Sequence, residues 1–186
     1  MTDFYLLRHA STQSNLSGRY LSNTDEPLCQ EGIEKAKQLC LPKVDKVFVS
    51  PLSRCIQTAE IVFPQVQQVV VEGFRECDFG EFEGKNYQEL NGDPRYQAWI
   101  DSGGMLAFPS GESKEEFCLR TCRAFEQLLS DLYSVPKAAI VAHGGTLMAL
   151  LERYAIPKRE YYAYQVKNCG GFHTQLEIQD SQVEIR

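Results

Sequence analysis

The chain has 186 residues, 43% of them apolar and 24% charged, the profile of a compact domain that buries roughly 70% of its unfolded surface; disordered, collagen-like and fibrous readings are excluded. A formal charge of −6 removes the cationic field that would draw the molecule onto nucleic acid or an acidic membrane, so an anionic ligand has to be held by local positive charge. No apolar run approaches the ~20 residues of a membrane span, and the first seven residues lack the cationic start of a leader, which leads us to expect a cytoplasmic protein with neither membrane nor nucleic acid as partner.

Residues 3–7 form an aromatic and aliphatic strand that ends in Arg8-His9 and runs into a polar loop rich in serine, with Asn15 within it. Ile33, Ala36, Leu39 and Cys40 recur at helical spacing up to Pro42. Residues 46–49 read as a second strand, Ser50-Pro51 as a helix start, and Leu52, Ile56, Ala59 and Phe63 as the apolar stripe of that helix. Residues 66–71 make a third strand. The stretch 72–84 shows neither regular period and reads as a long loop, and 85–104 as short helical pieces around Trp99. Ser113 can cap a long helix carrying Phe117, Thr121, Phe125, Leu128, Leu129 and Leu132. Residues 138–142 form a buried strand that leads into His143-Gly144-Gly145-Thr146, Leu147 to Tyr154 bear another apolar stripe, and 172–178 alternate as a late strand. This alternation predicts a single domain over 1–186: a three-layer α/β/α sandwich with a mostly parallel central sheet.

Ligand sites in such sheets gather at the carboxyl ends of strands, where His9 and His143 both stand. A nucleophilic histidine must be neutral, with one ring nitrogen free and the other hydrogen-bonded. Arg8 adjoins it and Arg54 lies at the start of a helix, so forked guanidinium donors can grip a tetrahedral oxyanion, with the N–H of Gly144 at another helix start as a further donor. The electrophile implied is a phosphoryl group, stabilised without a metal or other cofactor. Glu76, between Phe74 and Phe79, is the candidate proton donor for the departing oxygen. Its alternative is a plain ion pair with Arg75 or another arginine, and these residues alone favour the ion pair. Residues 80–85 do not make a nucleotide-binding glycine loop, because only three residues separate Gly80 from Gly84 and Glu81 and Glu83 repel phosphate. Seven cysteines without a C-x-x-C pattern fit a reducing compartment, and Cys118 and Cys122, four apart on a helix, read as core residues rather than metal ligands.

Arg8-His9-Ala10, Ser50-Pro51-Leu52-Ser53-Arg54 with Gln57-Thr58-Ala59-Glu60, the 76–84 run Glu-x-Asp-Phe-Gly-x-Phe-Glu-Gly, Gly111-Glu112-Ser113 and Ala142-His143-Gly144-Gly145 follow one another along nearly the whole chain. In this the sequence resembles the histidine phosphatase superfamily, also called phosphoglycerate mutase-like, whose hallmark is Arg-His-Gly after the first strand and a second His-Gly late in the chain. The resemblance implies that His9 is transiently phosphorylated, that Arg8, Arg54 and His143 bind the phosphoryl group, and that Glu76 donates the proton. It also implies a phosphate contact from Asn15 and a small cap insertion over roughly 85–111 that sets specificity. Three positions depart from the pattern: Ala10 stands for the usual glycine, Phe82 for a tryptophan, and Leu21 for a Thr or Ser, so that a substrate hydroxyl contact is either lost or passed to Ser22. Within the superfamily the 76–84 run and Pro109-Ser110-Gly111-Glu112-Ser113 look most like the alpha-ribazole-5′-phosphate phosphatases of cobalamin assembly.

The leading expectation is a metal-independent hydrolase of a small phosphomonoester. A phosphoglycerate mutase type of transfer is the first alternative; Lys85, Arg95, Lys114, Arg120, Arg123 and Lys137 include no adjacent arginine pair, and three of the six are assigned to a long solvent-facing helix. A phospholigand-binding module without turnover is the second. Tyr87, Tyr96, Trp99, Met105, Leu106 and Phe108 either line a pocket or pack in the cap, and Cys77 beside the acid reads as space-filling.

Overall fold

A computed structural model describes residues 1–179 and 182–186. The strands are β1 (Thr2–Arg8), β2 (Lys46–Val49), β3 (Gln68–Val70), β4 (Lys137–Ala142), β5 (Gly171–Gln179) and β6 (Gln182–Ile185), in the sheet order β3-β2-β4-β1-β5-β6. β1 to β4 are mutually parallel, and β5 and β6 close one side antiparallel. Along β1 the side chains alternate between two cores: Phe4 and Leu6 belong to one, Tyr5 and Leu7 to the other. The first core is completed by α5 (Lys114–Gln127) and α7 (Gly144–Tyr154), the second by α2 (Gln30–Lys37) and α3 (Ser53–Val62). That double-sided burial produces the expected three layers and explains why the central strands read as unbroken apolar runs. None of the helices among the described residues is long and apolar enough to cross a membrane.

Several elements differ from the sequence reading. Ser50-Pro51 does not start α3; Leu52 is its N-cap, without a side-chain bond, and the Ser53 N–H instead donates to the Asp25 carboxylate at 2.7 Å. A carboxylate from a distant loop thus satisfies an N-terminal donor and complements the helix dipole, which leaves the Ser50 hydroxyl free for another partner. The long helix after Ser113 has the expected capping box with Glu116 but tightens at Leu128, whose N–H bonds the Phe125 carbonyl, and resumes as α6 (Leu129–Tyr133). The resumed turn buries Leu132 fully and presents its carbonyl to the Thr2 hydroxyl at 3.1 Å. α2 stops at Lys37, before Leu39 and Cys40, and α7 is buried on nearly all sides rather than along one stripe. β6 is absent from the sequence reading, although Gln182-Val183-Glu184-Ile185 alternates polar and apolar; the run is only four residues long, the minimum for such a signal. Ile178, the last residue of the expected late strand, falls within β5, but its side chain lies outside the description.

Residues 72–84 contain two 3₁₀ turns, Glu72–Phe74 and Gly80–Phe82. Gly80 has φ +51°, and a Cβ there would lie 2.1 Å from the Pro109 carbonyl oxygen, so only glycine lets this loop cross the 109–111 arm so closely. Beyond it, α4 (Pro94–Asp101) contributes Tyr96 and Trp99 to an edge-packed aromatic cluster with Tyr20, Phe79, Phe82 and Phe108. Of the six apolar residues left open between lining and packing, Tyr96, Trp99 and Phe108 enter this cluster, whereas Tyr87, Met105 and Leu106 are exposed. Cys122 is buried and Cys118 half-buried, both unpaired.

Candidate active site

β1 and β4 are adjacent and in parallel register, with Arg8 opposite Ala142, so the next residue of each strand emerges at the same level. The His9 N–H bonds the Ala142 carbonyl at 2.9 Å, and the His9 and His143 rings meet edge to face with centroids 5.1 Å apart. β2 ends one strand further on, where the Ser50 hydroxyl, released from capping, lies 2.7 Å from His143 Nε2. The convergence of residues far apart in sequence thus follows from strand order alone.

His9 is 3% exposed. Its Nδ1 lies 2.7 Å from the Ala10 carbonyl; a carbonyl only accepts, so Nδ1 carries the hydrogen and Nε2 keeps its lone pair. Burial, then the Arg54 guanidinium, push its pKa down to about 3, so the ring is neutral at physiological pH. His143 is likewise held well below the ordinary range, first by burial and then by Arg54 and His9. Ala10 is not among the residues with positive φ, so the exchange for glycine carries no backbone strain, and its N–H bonds Thr58 Oγ1 at 2.9 Å. Thr58 in turn donates to the Arg54 carbonyl at 2.7 Å, tying the His9 loop to α3.

Arg54 is fully buried; its two terminal nitrogens donate to the carbonyls of Thr24 at 2.9 Å and Ser22 at 2.8 Å, while Nε has no partner. Arg8 donates to the Val166 carbonyl at 2.7 Å, and its buried Nε is also unpartnered. A Cβ on Gly144 would stand 3.5 Å from Arg8 Nε, so that guanidinium lies across the N-terminus of α7. Two orphaned cationic donors beside a neutral imidazole cost free energy unless an anion accepts from them.

Asn15 has a structural role and also borders the hollow. It closes a capping box with Thr12 at α1 (Gln13–Leu16), and it lines the hollow. Asn168 Nδ2 donates to the His9 carbonyl at 3.0 Å and to Asn15 Oδ1 at 3.2 Å, and the Thr12 N–H reaches the same oxygen at 3.2 Å. With Oδ1 engaged twice, the Asn15 amide group is the free donor. Ser22 is not placed for the contact expected of it: fully buried, its hydroxyl donates to Glu83 and accepts the Phe79 N–H, and it does not line the hollow. The physical reason is the Glu83 carboxylate, which takes the hydroxyl and the N–H groups of Ser22 and Thr24 together. Leu21 faces the hollow instead.

Glu76 accepts from the Cys77 N–H at 3.0 Å and the Gly145 N–H at 3.3 Å, and burial raises its pKa above the usual carboxylate range. Arg75 does not pair with it; that arginine bonds Glu72 at 3.1 Å. The hollow has a volume of about 350 Å³, with Arg8, His9, Asn15 and Glu76 among its polar lining. Tyr20, Phe79, Trp99, Phe108, Tyr161 and Tyr162 form much of its apolar lining, and Arg54 and His143, both fully buried, stand next to it, the His143 ring against that of His9. Sequence reasoning missed Tyr161 and Tyr162, and also Asn168, whose only signal is its place two residues before the glycine pair at the start of β5.

Such a pocket, built at the ends of β1 and β4 around two neutral histidines, the fully buried Arg54 and the partly buried Arg8, has the donors that a tetrahedral anion requires. Residues 4–186 match the family model described as Histidine phosphatase superfamily (branch 1), and the chain belongs to that family. It is 28% identical over 200 residues, covering 98% of both chains, to the adenosylcobalamin/alpha-ribazole phosphatase of Salmonella typhimurium. It is 33% identical over 159 residues, 81% of this chain and 77% of the relative, to a Hydrogenobacter thermophilus protein named "Putative phosphoserine phosphatase 2". The crystal structure of the alpha-ribazole phosphatase from Shigella flexneri superposes with a TM-score of 0.85 at 26% identity, covering 100% of this chain and 95% of the other.

Proposed function

We propose that the chain hydrolyses a small phosphomonoester through a phosphohistidine at His9. In the first step His9 Nε2 bonds to phosphorus as the ester P–O bond breaks, and the departing oxygen takes the proton of Glu76. In the second, water attacks phosphorus, gives its proton to the Glu76 carboxylate and displaces the imidazole, which restores both groups. Arg8, Arg54, His143, the Asn15 amide and the Gly144 N–H carry the phosphoryl oxygens. Each well-placed donor contributes about 10² to 10³ in rate. The observation that carries this reading is the pair of buried, unpartnered guanidinium Nε atoms beside a neutral His9. Since the positive charge comes from the protein, turnover is expected to persist in a chelator.

For the substrate we propose an ester with a neutral, aromatic leaving group, alpha-ribazole 5′-phosphate among them, selected by residues 85–111 acting as a cap. The two cations at the outer hollow are already matched: Arg19 forks onto Glu89 at 2.7 and 3.1 Å, and Lys114 bonds Glu152 at 2.9 Å. A carboxylate such as that of phosphoserine or 3-phosphoglycerate would have to compete with these pairs, whereas a planar ring gains contact with Tyr20, Trp99 and Phe108. Phosphate release across a panel of these esters tests it. The expected result is the highest kcat/KM for alpha-ribazole phosphate. Preference for phosphoserine or 3-phosphoglycerate would contradict the substrate assignment, isomerisation outrunning release would favour a mutase, and tight binding without turnover a binding module.

A further inference from the structure

We infer that Arg120 is the positioning residue for the acid step, holding the Glu76 carboxyl in register with the phosphoryl site; this rests on the reading of Glu76 as proton donor. Arg120 sits on α5 and its side chain is only 31% exposed, because it turns onto the 72–84 loop rather than out into solvent. Its guanidinium donates to the carbonyls of Gly73 at 2.9 Å, Arg75 at 3.2 Å and Glu76 at 3.3 Å. The same group forks onto Glu112, Nε to Oε1 at 2.9 Å and a terminal nitrogen to Oε2 at 2.7 Å. Glu112 Oε2 also accepts the Asp78 N–H at 3.0 Å, and Arg120 is among the groups holding its pKa below the ordinary range. One cation and one carboxylate therefore grip the loop on both sides of Glu76, at residues 73, 75, 76 and 78.

The grip depends on close approach. A Cβ on Gly73 would lie 2.4 Å from Ala124 Cβ, so the bare glycine lets α5 come near enough for Arg120 to reach three carbonyls. The loop needs such a clamp because its own backbone forms no ladder, only 3₁₀ turns. It also has little tolerance on the catalytic side, where the Glu76 carboxylate lies against Gly145: a Cβ there would stand 2.3 Å from Glu76 Oε1 and 3.0 Å from Phe117. A small displacement of a general acid from its hydrogen-bond distance removes its contribution, about 10² to 10⁴ in rate.

The test separates positioning from simple structural support by leaving-group chemistry. An alkyl phosphate needs the proton when its P–O bond breaks; 2,4-dinitrophenyl phosphate does not, so its kcat/KM is indifferent to the acid. Arg120→Ala and Glu112→Gln are compared with Glu76→Gln on both esters, with folding checked by circular dichroism. For Arg120→Ala and Glu112→Gln the expected result is a loss of about 10- to 100-fold in kcat/KM for the alkyl ester. The dinitrophenyl ester should stay within about threefold, well short of what loss of a phosphoryl donor produces. Arg120→Lys, which keeps the charge but not the fork, should recover only part of the loss. Equal losses on both esters in a folded variant, or no loss on either, would overturn the inference while leaving Glu76 intact. If Glu76→Gln itself shows no leaving-group discrimination, the acid assignment falls, and this inference with it.

Discussion

His9 and His143 stand at the ends of neighbouring parallel strands, with their positions set by a continuous ladder in which Arg8 faces Ala142. Glu76 stands across the same hollow in a segment with no ladder, secured by side-chain bonds to backbone: the Cys77 and Gly145 N–H groups on its carboxylate, and Arg120 and Glu112 on its loop. The side of the proposed nucleophile is thus held by the sheet ladder, whereas the side of the proposed acid is held by a few polar contacts. The comparison teaches that changes at the strand ends should abolish the phosphoryl chemistry, and changes in the loop should remove only the part of it that depends on a proton.

The largest effect expected on the acid side is that of Glu76→Gln, a fall of about 10² to 10⁴ in kcat/KM for alkyl phosphates. The pH profile sharpens this. Glu76 donates only when protonated, and its pKa is raised by burial, so kcat/KM should decline as pH climbs through that raised value. The basic limb should vanish in the glutamine variant. A limb that survives would assign it to another group.

On the strand-end side, Arg54→Ala should cost about 10² to 10³ in rate on alkyl and dinitrophenyl esters alike, because it removes a phosphoryl donor rather than the acid. It should also destabilise the fold by about 1–3 kcal/mol, since it deprives the buried Ser22 carbonyl and the Thr24 carbonyl of their donor. Steady-state kinetics with both esters and urea denaturation read the two effects, and discrimination between the esters would contradict the assignment.

Acid sensitivity comes next in size. His9 titrates at about 3 in the fold against 6.5 for an ordinary histidine, and His143 is shifted the same way. Between these values the unfolded chain binds more protons, so stability falls as pH drops below about 6.5, by about 1 kcal/mol per pH unit for each histidine. Glu76, shifted upward, works in the opposite direction and offsets part of this. Denaturation midpoints at pH 6.5 and 5 should differ accordingly, and a flat profile would contradict the burial of two neutral imidazoles.

The smallest effect expected is that of Ser50→Ala, which removes the 2.7 Å partner of His143 Nε2 and should lower kcat by about tenfold or less, one neutral hydrogen bond. A loss as large as that of Arg54→Ala would give the hydroxyl a direct part in the chemistry.

The same division governs what was legible in the sequence. His9, His143 and Gly144 could be placed because each follows a buried strand whose apolar run is visible, and strand ends of parallel sheets converge. Arg54 was legible through its helix, although the helix begins three residues after Ser50 and is capped by Asp25 from a remote loop. For Glu76 the local residues favour an ion pair, and only the resemblance of its motif to a family points to the acid. Ser22 was misassigned because nothing local reveals that Glu83, 61 residues on, claims its hydroxyl. Arg120 was read as a solvent-facing charge for a related reason: its partners are backbone carbonyls of an irregular loop, and no side-chain pattern records them. Local periodicity shows the ladder, and only tertiary contact shows the clamps.

The central claim is covalent: phosphorus passes through His9. Rapid acid-free quenching of enzyme with a phosphomonoester, followed by proteolysis and mass spectrometry, should find an acid-labile phosphate on the peptide that carries His9, absent in His9→Ala and accumulating in Glu76→Gln with the dinitrophenyl ester. Turnover without phosphorylated His9, or an adduct on any other residue, would contradict the account.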